Sequence, residues 1–203
     1  MHIILENTGK QYNFNWVFRH IDVCFNTGCR HAVTGINGSG KSTLMRILSG
    51  QMMPSEGRIK WLDDHNNLIP DNERYHHYSF VAPYLELPEE FTIREIIAFH
   101  FQFKSVFSLI QINDIVGMAE MEKDVEKKVA DLSSGMKQRL KLTLAILSDT
   151  PVLLLDEPLS NLDAYGVQWY KRMISQFTAS RTVITASNHN NDECYMHVHT
   201  FSF

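Results

Sequence analysis

No basic run occurs anywhere in these 203 residues, and 19 Lys and Arg against 23 Asp and Glu leave a net charge of −4. Nucleic-acid surfaces usually carry a basic stripe, so that class of partner is not expected. Long apolar runs are missing as well. The nearest approach, Ile96 to Ile110, carries His100, Gln102 and Lys104 and is too short to span a bilayer. Cysteine is scarce: Cys24, Cys29 and Cys194 form no C-x-x-C pair and no even framework. That pattern suits free thiols in a reducing compartment. Met1-His2-Ile3-Ile4-Leu5-Glu6 lacks the charged-then-apolar order of a signal peptide. Internal repeats and low-complexity tracts are also absent. If the protein works at a membrane, another chain is expected to cross it.

What is present is an ordinary globular composition, 44% hydrophobic and 21% charged, in a chain long enough for one domain with a real core. Its most informative stretch is Gly35-Ile36-Asn37-Gly38-Ser39-Gly40-Lys41-Ser42-Thr43, which fits the phosphate-binding pattern G-x-x-x-x-G-K-[ST]. Arg30 to Thr34 before it reads as a short buried strand, and Ser42 to Leu48 after it as a helix. Strand, glycine loop, helix is the order this chemistry requires. Loop amides and a helix N-terminus offer partial positive charge to an anion, and Gly35, Gly38 and Gly40 let backbone approach oxygen without a Cβ in the way. Lys41 is expected to reach the β- and γ-phosphates and the Ser42 hydroxyl to hold Mg²⁺.

Around this loop, residues 2–6 and 14–25 alternate like antiparallel strands, with Lys10-Gln11-Tyr12-Asn13 as the turn between them. Tyr12 is either an aromatic platform for an adenine ring or a turn tyrosine covering the sheet edge. Ser49-Gly50 ends the helix after the loop. Pro54-Ser55-Glu56-Gly57 turns into a strand at Arg58 to Leu62, residues 63–75 form a polar loop, and Ser79 to Ala82 is a short strand closed by Pro83. From Thr92 the apolar positions recur at helical spacing, and Thr92 with Glu95 makes a capping box. Residues 92–104, 108–119 and 121–130 read as three short helices, so 84–131 is taken as a helical insertion in an α/β domain. Phe99, Phe101, Phe103 and Phe107 either pack the insertion or offer a docking surface. Val152 to Asp156 is a continuous apolar run, as for a strand covered on both faces. A helix at about 164–178, a strand at 182–187 and an alternating tail from Tyr195 complete the pattern.

Asp156 and Glu157 sit where a buried strand runs out, the usual place for ligands in an open parallel sheet. A phosphate loop needs a carboxylate there to hold Mg²⁺, and Asp156 is the candidate. Glu157 is positioned to accept a proton from an attacking water or to orient it. Within Leu132-Ser133-Ser134-Gly135-Met136-Lys137-Gln138-Arg139, Ser133 caps a following helix and Gly135 permits close approach, which makes a second anion site. Taken alone, helix capping explains this segment better. Ser160-Asn161-Leu162-Asp163 by itself is a polar turn and helix cap.

Taken together, the loop at 35–43, LSSGMKQR at 132–139, VLLLDEP at 152–158 and SNLD at 160–163 resemble the nucleotide-binding subunits of ABC transporters, in order and in spacing, over nearly the whole chain. The short length looks like the compact haem-exporter type. The resemblance implies a P-loop NTPase of α/β class with a mostly parallel core sheet, an N-terminal antiparallel β-subdomain and the helical insertion, all in one ATP-binding domain over 1–203. It implies ATP and Mg²⁺, with Asn37, Ser39 and Thr43 joining the glycines, Lys41 and Ser42 around the phosphates. It also implies a head-to-tail dimer with a second such subunit, identical or not, in which Ser133 and Gly135 of one copy face the phosphates held by the other. Hydrolysis then drives membrane-spanning partner subunits, which places the chain at the cytoplasmic face of a membrane. A soluble ABC-type clamp on nucleic acid or protein is the alternative.

Three positions depart from the family pattern. A Gln that senses metal and water is replaced by Pro83 and Tyr84, and Pro83 has no polar side chain for that work. The switch His falls on Asn188, with His189 one residue on, so either fills that place. Ser134 and Met136 stand where Gly and Gln are usual. His197 and His199 lie two apart on one strand face, with no third metal ligand apparent.

Overall fold

The computed structural model describes residues 1–107, 110–187 and 197–200. The chain gathers into two compact units, one of Met1–Phe80, Pro151–Glu157 and Ala179–Phe203, the other of Val81–Thr150 and Pro158–Thr178. The second unit thus takes in two further helices beyond the 84–131 insertion.

The first unit holds two sheets. Strand β1 (His2–Tyr12) pairs antiparallel with β2 (Asn15–Phe25) on one side and with β4 (Glu56–Leu62) on the other. Ile3, Leu5, Phe18, Ile21, Phe25 and Trp61 are buried, so the alternation read in the sequence marks a covered face. The turn lies two residues beyond its expected place. β1 runs through Tyr12, and Asn13 and Phe14 make the hairpin with φ of 44° and 68°. A type I′ two-residue hairpin requires left-handed backbone at both central positions; Asn suits it and gives a familiar signal, whereas Phe gives none.

The second sheet has the order β5-β6-β7-β3-β8, from β3 (Arg30–Thr34), β5 (Tyr78–Val81), β6 (Val152–Asp156), β7 (Thr182–Ala186) and β8 (His197–Thr200). The β3–β7, β3–β8 and β6–β7 pairs are parallel. All five residues of β6 and all five of β7 are buried, as expected of central strands covered on both faces, even though β7 carries Thr182 and Thr185. Helix α1 (Lys41–Leu48) follows β3 and lays Leu44, Met45, Ile47 and Leu48 into a core shared with Phe25, Trp61, Val152, Leu154 and Ile184. It ends at Ser49, after which Gly50 takes φ 74°.

The second unit is helical: α2 (Ile93–Phe103), α3 (Ile112–Met118), α4 (Ser134–Leu147) and α5 (Ala164–Phe177). The capping box forms as the sequence indicates: Thr92 N–H donates to Glu95 Oε2 at 2.8 Å, and Glu95 N–H to Thr92 Oγ1 at 3.2 Å. The helix expected over 121–130 is replaced by two short 3₁₀ turns, Glu122–Asp124 and Val129–Asp131. Its backbone is committed elsewhere. Val129 N–H donates to Phe91 O at 2.8 Å and Ile93 N–H to Lys127 O at 3.1 Å, and groups bonded across to another segment are not free for a helical ladder. Among the described residues no helix is long and apolar enough to cross a membrane.

Candidate functional site

The phosphate loop is built on left-handed turns. Gly38 and Gly40 take φ of 84° and 87°, Ser39 N–H donates to Ile36 O at 3.1 Å, and Leu44 N–H to Gly40 O at 2.9 Å. Gly40 is the residue just before α1, so the loop delivers the first-turn amides of that helix to its mouth. A cleft of about 430 Å³ opens there, lined by Val17, Asn37, Gly38, Gly40, Lys41, Ser42, Thr43 and Glu157. Lys41 folds back onto its own loop, with Nζ donating to Gly35 O at 2.8 Å and Ile36 O at 3.1 Å. The ammonium is thereby kept at the loop, where a phosphate can replace carbonyl partners without moving the helix. Ser39 is buried and Gly35 half-buried; neither lines the cleft.

Gly40 has no room for a side chain, since a Cβ would lie 2.6 Å from Val17 Cγ1 and 3.1 Å from Phe18 Cδ1. Gly40→Ala therefore combines backbone strain with a clash, costing about 1–3 kcal/mol in the loop conformation. Isothermal titration with ATP is expected to show affinity reduced by roughly tenfold or more, with the fold intact by circular dichroism.

Asp156 ends β6 fully buried, and neither carboxylate oxygen has a hydrogen-bond partner of normal geometry among the described residues. Burial raises its pKa above the ordinary carboxylate value; the Ser42 hydroxyl is the main opposing influence, ahead of Lys41 and Arg46, while Glu157 adds to the rise. A buried carboxylate without a partner, near an exposed serine hydroxyl, is a hard-oxygen donor set of the kind Mg²⁺ takes, so the residues present fit that ion. A raised folded-state pKa in an acid gives stability that is largest when the group is protonated and is lost as pH rises through that value. At neutral pH, well above the ordinary carboxylate value, the raised pKa of Asp156 thus opposes folding when no metal is bound. Asp156→Asn is expected to raise the melting temperature of the metal-free protein at pH 7, and to remove any Mg²⁺-dependent increase in it. A lower melting temperature in the metal-free variant would contradict the assignment.

Glu157 follows directly. Its N–H donates to Ala186 O at 2.8 Å, and its φ is 46°. For a residue with a Cβ this left-handed backbone costs about 1–2 kcal/mol. The kink carries the side chain out of the strand's alternation and into the cleft wall.

In the second unit, Ser133 caps α4 by accepting the Met136 N–H at 3.2 Å. Gly135 stands where a Cβ would be 2.9 Å from Asn161 O, which is a packing reason for glycine at that position. Gln138 is buried and donates to Pro158 O at 2.8 Å. Asp163 caps α5 by accepting the Gly166 N–H at 2.7 Å.

Tyr12 does not line the cleft: its hydroxyl meets Met52 Sδ at 2.9 Å and Lys10 Nζ lies 5.3 Å from its ring, because it belongs to β1 and not to a turn. Asn188 and His189 lie outside the described residues. His199 Nε2 is 3.2 Å from His31 Nδ1. Among the described residues no three His, Cys, Asp or Glu side chains are grouped for a metal. Sequence reasoning misses Val17 as a cleft residue and Gln138 as a buried donor. A valine within a strand carries no signal of its own, and Gln138 stands out only as one letter of a motif.

A family model described as ABC transporter matches residues 18–160. A relative described as "Probable sulfate/thiosulfate import ATP-binding protein CysA", from Chlorella vulgaris, is 32% identical over 81% of this chain and 70% of its own length. The Nod factor export ATP-binding protein I of Neorhizobium galegae is 34% identical over 78% of this chain, which spans only 46% of that relative. Among solved structures, the dimeric post-hydrolysis ATP-binding cassette MJ0796, bound to ADP and Pi, superposes with a TM-score of 0.79 at 22% identity, covering 94% of this chain and 89% of that one.

Proposed function

This chain belongs to the ABC transporter family, and from that premise we propose that it is the ATP-binding and ATP-hydrolysing subunit that powers a membrane transporter. The observation that carries the reading is the cleft lined by Lys41, Ser42 and Glu157, with Asp156 at the end of the strand that leads to it. Lys41 and the first-turn amides of α1 bind the triphosphate. Ser42 and Asp156 would hold Mg²⁺, which would supply neutralisation of the phosphate charge. Glu157 accepts the proton of the attacking water or orients it.

A second copy completes the pocket. Ser133 and Gly135 at the start of α4 present the free N–H groups of a helix N-terminus, the chemistry needed to meet a γ-phosphate held by the other copy. Closure over ATP and parting after hydrolysis form the power stroke. The membrane partner docks on the helical unit, where Phe99 and Phe103 are exposed and stack edge-on with each other beside Phe91. Direction and cargo belong to that partner.

The test is affinity purification from detergent-solubilised membranes of the source cell. Co-purification of a polytopic membrane protein, with ATPase activity in the complex, is the expected result. Recovery of a stable soluble protein that never associates with membranes would overturn the transporter reading. ATP-stimulated binding to DNA or ribosomes would favour the soluble clamp instead.

A further inference from the structure

Between β5 and α2 the chain makes a tight turn, Ala82-Pro83-Tyr84-Leu85, closed by Leu85 N–H donating to Ala82 O at 3.2 Å. Proline at its second position is the preferred residue there, since its φ is already set. Lys141, about two turns into α4, reaches this turn. Its Nζ donates to Leu85 O at 3.2 Å and Ala82 O at 3.5 Å. The side chain is half-buried, and burial lowers its pKa with Glu86 opposing.

This is a costly way to fill space. A half-buried ammonium whose hydrogen bonds go to two main-chain carbonyls gives up hydration for partners without a full charge. A methionine would cover the same helix face without that penalty. What the lysine adds is a directional tie between one turn and one helix. The helix is α4, which begins at the Ser134–Gly135 amides and is capped by Ser133 accepting the Met136 N–H. The turn is the segment in which Pro83 itself has no polar side chain to make such a tie.

We propose that Lys141 is a positioning residue, a strut that fixes the 82–85 turn to α4 so that the turn and the Ser133–Gly135 segment move as one body. The role rests on the transporter reading, because the motion it carries is closure over ATP. Lys141 does not line the cleft and acts only through α4 and the turn.

Amide exchange and steady-state ATP turnover on the full chain test it, with Lys141→Met, Lys141→Arg and Pro83→Gly. In Lys141→Met, exchange at the Leu85 amide is expected to rise about tenfold, the size expected for one lost bond from a charged donor. Turnover is expected to fall several-fold with the KM for ATP unchanged, and Lys141→Arg, which keeps charge and donors, to restore both. Pro83→Gly loosens the turn and leaves the charge, so it is expected to lower turnover in the same way; should Lys141→Met fail to fold, this variant carries the comparison. Leu85 exchange unchanged in the variants would overturn the strut, as would faster exchange with unaltered turnover, or a KM that rises with the loss of turnover. A parent protein without ATPase activity would overturn the transporter reading instead, and Leu85 exchange would still decide whether the strut exists.

Discussion

Lys41→Ala is expected to abolish measurable ATP binding while leaving the fold nearly untouched. The bonds from Lys41 Nζ to Gly35 O and Ile36 O stay within its own loop, so their loss takes nothing from the core. In the proposed bound state the same ammonium would face phosphate oxygens, and each bond to a charged partner is worth about 1.5–3 kcal/mol. Losing two such bonds lowers affinity by roughly 10²-fold or more. Titration calorimetry with ATP is the measurement, with a melting curve as control. Near-normal affinity would show that the loop amides alone hold the triphosphate.

Glu157→Gln is expected to keep nucleotide binding and slow turnover by about 10²-fold or more, the range for loss of a general base. The amide is nearly isosteric, so the left-handed backbone at 157 and its bond to Ala186 O are kept. What is lost is the acceptor for a proton. Gly40→Ala makes the opposite split, weakening binding through the loop. Should the Glu157→Gln chain hydrolyse ATP at the parent rate, Glu157 has no part in the mechanism and is only a cleft wall.

Much of this arrangement was legible in the sequence because it is local. Strand, glycine loop and helix at 30–48 follow from consecutive residues, as do the caps at Thr92, Ser133 and Asp163. The carboxylate pair was readable because Val152–Asp156 is an unbroken apolar run that stops at a charge. The failures were non-local. Residues 121–130 look helical until Phe91 and Ile93 claim their backbone groups. Tyr12 looks like a turn residue until β1 is seen to continue to the Asn13-Phe14 hairpin. The Lys141 contact joins residues more than fifty positions apart, and no periodicity announces it.

The central claim is that two copies share each nucleotide, one giving the loop at 35–43 and the other the start of α4. Amide exchange at Ser134 and Gly135 in the Glu157→Gln chain, with ATP and then with ADP, tests it most directly. These amides are predicted to become protected with ATP, in step with a doubling of mass in sedimentation, and to exchange freely with ADP. Bound ATP with no change at either amide would contradict the shared pocket.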